Sequence, residues 1–221
     1  MHILFWCSRK SKMKKVFVSH IKVWKPSSEN LAEKPTLPFA DSLFKRRLSQ
    51  ISRMTVQVIH DLLEEVPEAK EYKQIFISFR GELSREFSIN KSILQDSEIL
   101  PAAFSLSVFN TPIASASLAL KLKSGYSVIY PSKQDFRSAV LAASSTVLSG
   151  AEQKIILVYA DEFIPKEYES LVDECQNPFS FACLLEGEQN KSQNSVAVDF
   201  EKFSSPEEFI NSMKGKLENS K

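Results

Sequence analysis

At 221 residues, 43% hydrophobic and 25% charged, the chain can bury the core of one ordinary globular domain, which excludes a disordered polymer. Its 28 basic and 27 acidic residues leave a net charge of +1, without the basic surplus that a dedicated nucleic-acid binder gathers on one face. Cys7, Cys175 and Cys183 have no zinc spacing and no apolar run is long enough to span a bilayer, so a cytoplasmic setting is expected, with no nucleic-acid or membrane partner.

The opening run Ile3-Leu4-Phe5-Trp6-Cys7 is too short for the apolar centre of a secretory signal, and basic residues follow it rather than precede it. Met13-Lys14-Lys15 then leads straight into Val16-Phe17-Val18. Residues 1–12 are therefore expected to be a mis-called start or a disordered extension, and residues 13–221 the folded domain. Residues 16–23 read as a strand, stopped by Trp24-Lys25-Pro26, and the Ser-, Pro-, Glu- and Lys-rich stretch 26–38 as a loop. A long helix is expected over 39–65, because Leu48, Ile51, Met54, Val58, Leu62 and Val66 recur at helical spacing on one face. Lys45, Arg46, Arg47 and Arg53 lie off that face, and Pro67 ends the pattern.

Residues 73–79 read as a strand with an almost continuous apolar run, as suits a strand covered on both sides. Residues 82–94 are weakly helical, 101–112 irregular, 113–123 a helix rich in small residues and 127–130 a short strand. Ser132-Lys133-Gln134-Asp135 has the pattern of a capping box, with Ser132 as cap, opening a helix that ends at Gly150. Its expected apolar stripe is Ala139, Ala142, Ala143 and Val147. Strands follow over 155–159, 181–185 and 196–200. Ser205-Pro206-Glu207-Glu208 starts a last helix, with Ser205 as cap and Glu208 closing the box. Strands that alternate with helices early and pair up late point to α/β layering around a mixed sheet.

The run Pro101-Ala-Ala-Phe104-Ser-Leu-Ser107-Val108-Phe109-Asn110-Thr111-Pro112 resembles a segment of β-ketoacyl-ACP synthase-like N-terminal domains. Ser107, Val108 and Asn110 match that family, which has His where this chain has Phe109. Residues 135–143 and 155–162 resemble its elbow helix and following strand, and residues 46–54 the basic start of its first long helix. The likeness spans nearly all of residues 13–186. It implies a thiolase-like half-fold, since in that fold two similar αβ halves stack and this chain is about the length of one. Small relatives of this type occur with aryl-polyene and type II polyketide-like gene clusters.

The resemblance implies a Cys nucleophile at the start of the elbow helix, where the helix dipole lowers a thiol pKa, and two His residues in the second half. At that place this chain reads Tyr130-Pro131-Ser132-Lys133-Gln134, with no Cys. Its histidines are His2, His20 and His60, in the tail, the first strand and the long helix. No catalytic residue is therefore assigned: Ser132, Lys133 and Gln134 mark the position of the family nucleophile. Serine needs an adjacent base, and none is apparent. Chain-length-factor subunits of type II polyketide synthases carry Gln in place of the Cys, an analogy that Gln134 invites.

Five glycines, with no P-loop and no dinucleotide fingerprint, point to no cofactor. Asp161-Glu162 lacks partners for a metal site in the sequence, and Cys183 reads as a core residue. The expected role is a non-catalytic, chain-length-factor-like subunit in fatty-acid, polyketide or aryl-polyene-type chain assembly. Its expected partners are a ketosynthase, an acyl carrier protein that meets Lys45-Arg46-Arg47, or a second copy of itself. Pairing would use an apolar face of the helix around Ala142 or of the helix at 113–123. Two alternatives remain open: an acyltransferase with a non-Cys nucleophile such as Ser132, and a binding module for acyl chains or carrier proteins.

Overall fold

Apolar side chains placed at every position of a strand demand cover on both faces of the sheet, and a computed structural model shows how this chain supplies it. The structure describes residues 14–96, 101–171 and 177–218; Cys7, Cys175, His2 and the expectation about residues 1–12 lie outside them. In chain order the elements are β1 (Val16–Trp24), α1 (Ser42–Arg47), α2 (Gln50–Glu65), β2 (Lys73–Ile77) and α3 (Leu83–Asp96). Next come α4 (Pro101–Phe104), α5 (Thr111–Leu120), β3 (Tyr126–Ile129), α6 (Phe136–Leu148) and β4 (Lys154–Asp161). The chain closes with β5 (Phe179–Gly187), β6 (Val196–Ala197) and α7 (Pro206–Glu218).

The strands form one mixed sheet in the order β3-β2-β4-β5-β1-β6. β2 pairs in parallel with β3 and β4, while β5 runs antiparallel to both β4 and β1. Alternation splits the strands between two cores. Ile155, Leu157 and Tyr159 of β4, with Phe181, Cys183 and Leu185 of β5, pack beneath α6 and α7. Ile156, Val158, Ala182 and Leu184 face the opposite way, toward α2 and α5. The fold is therefore α/β, a mixed sheet layered with helices on both faces.

Several local expectations need correction. The helix expected over 39–65 is two helices, because Leu48 turns extended to bury its side chain and Ser49 caps a new start. Asp41 caps the first, accepting from the amides of Leu43 (2.8 Å) and Phe44 (3.1 Å), and Ser49 Oγ accepts from the Ser52 amide at 3.1 Å. Residues 101–112 contain the short α4. The strand expected over 196–200 is only two residues long, and a 3-10 turn (Phe200–Lys202) follows it.

The helix after β3 starts at Phe136, and its cap is Asp135, not Ser132. The turn before it twists Ser132 out of range. On this helix Ala139, Ala143 and Val147 are buried, but Ala142 is exposed. At α7, Ser205 Oγ does accept from the Glu208 amide, at 3.2 Å, but the Glu208 carboxylate reaches back one residue further, to the amide of Ser204 at 2.7 Å.

Candidate functional site

The crevice at the carboxyl ends of the parallel strands is where an α/β sheet ordinarily places chemistry. Here β3 runs out at Ile129, and Tyr130-Pro131 leads into a 3-10 turn (Ser132–Gln134) and then α6. Lys133 and Gln134 both adopt a positive φ of 54°. That left-handed backbone costs a residue with a Cβ about 1–2 kcal/mol, so the turn is sharp and strained. Ser132, Lys133, Gln134 and Asp135 are all exposed. Asp135 accepts from the Ser138 amide at 3.0 Å and from the Ser138 hydroxyl at 2.5 Å. Those bonds, the hydroxyl's foremost, hold its carboxyl below the usual carboxylate range. A carboxylate thus occupies the first turn of the helix, the place at which a dipole would otherwise stabilise a thiolate.

The sequence-derived positions Ser132, Lys133 and Gln134 lie together at this elbow. The two described histidines have other attachments. His20 Nδ1 lies 2.6 Å from Glu65 Oε1, and the His60 ring stacks on Phe39 with centroids 3.6 Å apart. Cys183 is fully buried, and burial pushes its thiol well above the ordinary range, with Glu186 adding to the shift. Phe109, where the resemblance implies His, packs edge-on against Tyr130 at 5.1 Å, beside the elbow. It also lies so close to Gly81 that a Cβ there would fall 2.7 Å from its ring.

A second set of polar groups, larger than the sequence indicated, lies where β2 and β4 end. Asp161 accepts from Ser78 Oγ (2.6 Å), Tyr159 Oη (2.7 Å) and the amides of Phe79 and Arg80 (both 3.1 Å). It thereby fixes the turn after β2. Burial above all, with the Asp161 charge next, pushes the Tyr159 hydroxyl far up. Glu162 turns the other way and accepts from the Ser84 amide at 2.8 Å. Burial pushes its carboxyl up to about 7; the amides of Ser84 and Ile51 ease it and the nearby Glu82 raises it. Glu82 is buried too and accepts from Ser49 Oγ (2.8 Å), Ser52 Oγ (2.5 Å) and Arg85 Nε (3.2 Å). Sequence reasoning missed Glu82; its one signal was Arg80-Gly81-Glu82 directly after a buried strand. Among the described residues no three His, Cys, Asp or Glu side chains are grouped to hold a metal ion.

Beside this network runs a groove of about 650 Å³ between the α1–α2 junction and α3–α4. Arg46, Arg47, Lys34 and Arg85 supply its charge, Ser49 and Ser88 its hydroxyls, and Leu48, Ile89 and Leu106 its apolar lining. Among the described residues Arg46 and Arg47 have no acidic partner, whereas Arg85 is paired with Glu82. Elsewhere β3 is an edge strand of the sheet. Tyr130, directly after it, is 66% exposed, and on the helices Leu141 of α6 is 52% and Leu118 of α5 77% exposed. No helix among the described residues is long and apolar enough to cross a membrane.

Comparison with protein families matches residues 22–218 to the family described as Beta-ketoacyl synthase, N-terminal domain. No curated protein matches the chain. Among solved structures, the complex of the ketosynthase ApeO with its chain length factor ApeC from Xenorhabdus doucetiae is similar at a TM-score of 0.63 and 22% identity, over 78% of this chain and 79% of that one. The ishigamide ketosynthase/chain length factor is similar at 0.63 and 10% identity, over 80% of this chain and 63% of that one. A β-ketoacyl synthase from Burkholderia phymatum STM815 follows at 0.58 and 11%, over 84% of this chain and 62% of that one. The chain thus spans less than two thirds of the latter two. At such identities the likeness is one of fold, that of thiolase-like ketosynthase halves.

Proposed function

Because this chain belongs to the β-ketoacyl synthase N-terminal domain family, we propose that it is a non-catalytic, chain-length-factor-like subunit that assists a ketosynthase in polyketide, fatty-acid or aryl-polyene-type chain assembly. The observation that carries this reading is the elbow. Ser132, Lys133 and Gln134, which the proposal assigns to the position of the family nucleophile, are all open to solvent, and the first turn of α6 is already capped by Asp135. A ketosynthase must transfer an acyl group from a carrier thioester to a protein thiolate. No cysteine stands at this turn, and Ser132 has no described base beside it. Chain-length-factor subunits of type II polyketide synthases carry Gln in place of the Cys, and Gln134, in the same turn, supports the reading by analogy.

The proposed partners follow from surface chemistry. A full ketosynthase or a second copy of this chain would pair along the open edge of β3 by Tyr130, or on the outer face of α6 by Leu141, both exposed apolar side chains. An acidic acyl carrier protein would meet the groove at Arg46 and Arg47, where unpaired guanidinium groups suit carboxylates and phosphate. No cofactor enters the proposal, and the expected setting is the cytoplasm.

The test is to incubate the purified protein with malonyl- and acyl-carrier protein, alone and with a ketosynthase partner. The protein alone is expected to neither decarboxylate nor condense, and its addition is expected to alter the partner's product length. Turnover by the protein alone that Ser132→Ala abolishes would establish the acyltransferase instead. Carrier binding without any effect on a ketosynthase would leave a binding module.

A further inference from the structure

Glu82 ties two separate parts of the chain together beside the basic groove. Its buried carboxylate accepts from Ser49 Oγ (2.8 Å) and Ser52 Oγ (2.5 Å) at the start of α2 and from Arg85 Nε (3.2 Å) in the first turn of α3. Arg85 also donates to the Arg47 carbonyl at 2.8 Å, and the Ser84 amide to Glu162 at 2.8 Å. The two walls of the groove are therefore braced against each other, and its volume of about 650 Å³ is built into the fold. These bonds also take up the charge of Arg85. Three lining cations remain, Lys34, Arg46 and Arg47, and none has an acidic partner among the described residues. No described residue that lines the groove is acidic, and none is aromatic. Leu48, Ile89, Ala103 and Leu106 supply apolar area, while Ser88 and Ser92, spaced by four, bring one face of α3 to the wall.

We infer that this groove binds a small amphiphilic anion, a carboxylate or phosphate group carried on a short apolar chain. Its size lies within the roughly 300–1,000 Å³ usual for small-molecule sites, which combine apolar walls with a few placed polar groups. The sign of the head group follows from the lining: cations with no carboxylate among them attract an anion and repel a cation. Arg46 and Arg47 carry guanidinium forks that match the oxygens of either head group. The chain follows from the other wall. Ile89, Ala103 and Leu106 are each partly exposed, and a methylene chain laid on them removes apolar surface from water. A base or other flat ring would find no aromatic side chain to stack on. Because the walls are already braced, little ordering is needed on binding. The site shares Arg46 and Arg47 with the proposed carrier-docking surface but does not depend on that docking. An acidic partner protein needs only the exposed guanidinium groups, whereas an amphiphile needs the apolar wall as well.

Titration of the isotope-labelled intact protein with decanoate, followed by amide NMR shifts, tests this. Saturable shifts are expected at Ser49, Ser88 and Ile89, and none at Leu157 or Val158 of β4. Decyl phosphate should act at the same residues, and the tighter binder of the two identifies the head group. Acetate and inorganic phosphate lack the chain, and decyltrimethylammonium reverses the charge; each should bind at least about tenfold more weakly. Ser88→Glu sets a carboxylate at an exposed position of the groove wall. It should fold as the wild type does and lose about tenfold or more in decanoate affinity. Ala103→Trp fills the apolar wall and should abolish decanoate binding while carrier-protein binding persists. Equal binding of decanoate and decyltrimethylammonium, shifts outside the groove, or an unchanged decanoate affinity in Ser88→Glu overturns the inference. Carrier binding by a protein that ignores decanoate also overturns it and leaves the docking reading standing. Decanoate binding by a protein that ignores the carrier does the reverse.

Discussion

Asp135 and Ser132 are three residues apart, yet only one of them caps α6. Replacing Asp135 by Ala should cost about 1 kcal/mol in urea denaturation, whereas Ser132→Ala should change stability by less than about 0.5 kcal/mol. An equal loss from both would place the cap back on Ser132. Glu162 gives a second residue-scale prediction. Its folded pKa, about 7, lies above the usual 4.5. The folded state therefore keeps a proton that the unfolded chain has given up, and stability falls as pH rises from about 4.5 to 7, then levels off. Glu162→Gln should leave stability unchanged at pH 4 and raise it at pH 8 by up to roughly 3 kcal/mol. Denaturation midpoints at the two pH values check the sign.

At the scale of the element, α6 and the turn around Gly81 separate core from surface. Ala143 is fully buried and Ala142 exposed, one residue apart on the same helix. Ala143→Glu buries an unpaired carboxylate and is expected to abolish folding. Ala142→Glu should fold normally, with an unchanged circular dichroism melting curve, and any effect should fall on association alone. Gly81→Ala meets both a left-handed backbone and the Phe109 ring. A loss of more than about 1 kcal/mol is expected, partly recovered when Phe109 is also replaced by Leu. Recovery would show that the ring, rather than the backbone alone, excludes a side chain there.

For the whole molecule the proposed function assigns pairing to the open edge of β3 and the outer face of α6, and carrier docking to the groove at Arg46 and Arg47. Sedimentation at high micromolar concentration should find a dimer, which Leu141→Glu or Ala142→Glu dissociates. A monomer at all concentrations, with no ketosynthase recovered alongside it, would remove the pairing surface. Arg46→Glu with Arg47→Glu should weaken carrier-protein binding by more than about tenfold and flatten its salt dependence. Binding that is unchanged would move the docking site elsewhere.

Much of the architecture was legible in the residues because it depends on local periodicity. The unbroken apolar runs of β2, β4 and β5 can only be satisfied with cover on both faces, and α2 shows its buried stripe at helical spacing. The elbow before α6 was legible as well, since Tyr130-Pro131-Ser132 carries the chain from a strand into a helix. What escaped was decided by tertiary contact. Leu48 breaks the long helix because burying its side chain outweighs one more helical turn. Ala142 faces water and Ala143 the core because the sheet lies on one side of α6 only. Glu82 and Glu162 look like any surface glutamates in the sequence; they become buried neighbours because the ends of β2 and β4 and the starts of α2 and α3 converge. Pattern alone determines which residues leave water, but only the folded chain determines which of the remaining polar groups are carried inside with them, because their partners come from segments distant in sequence.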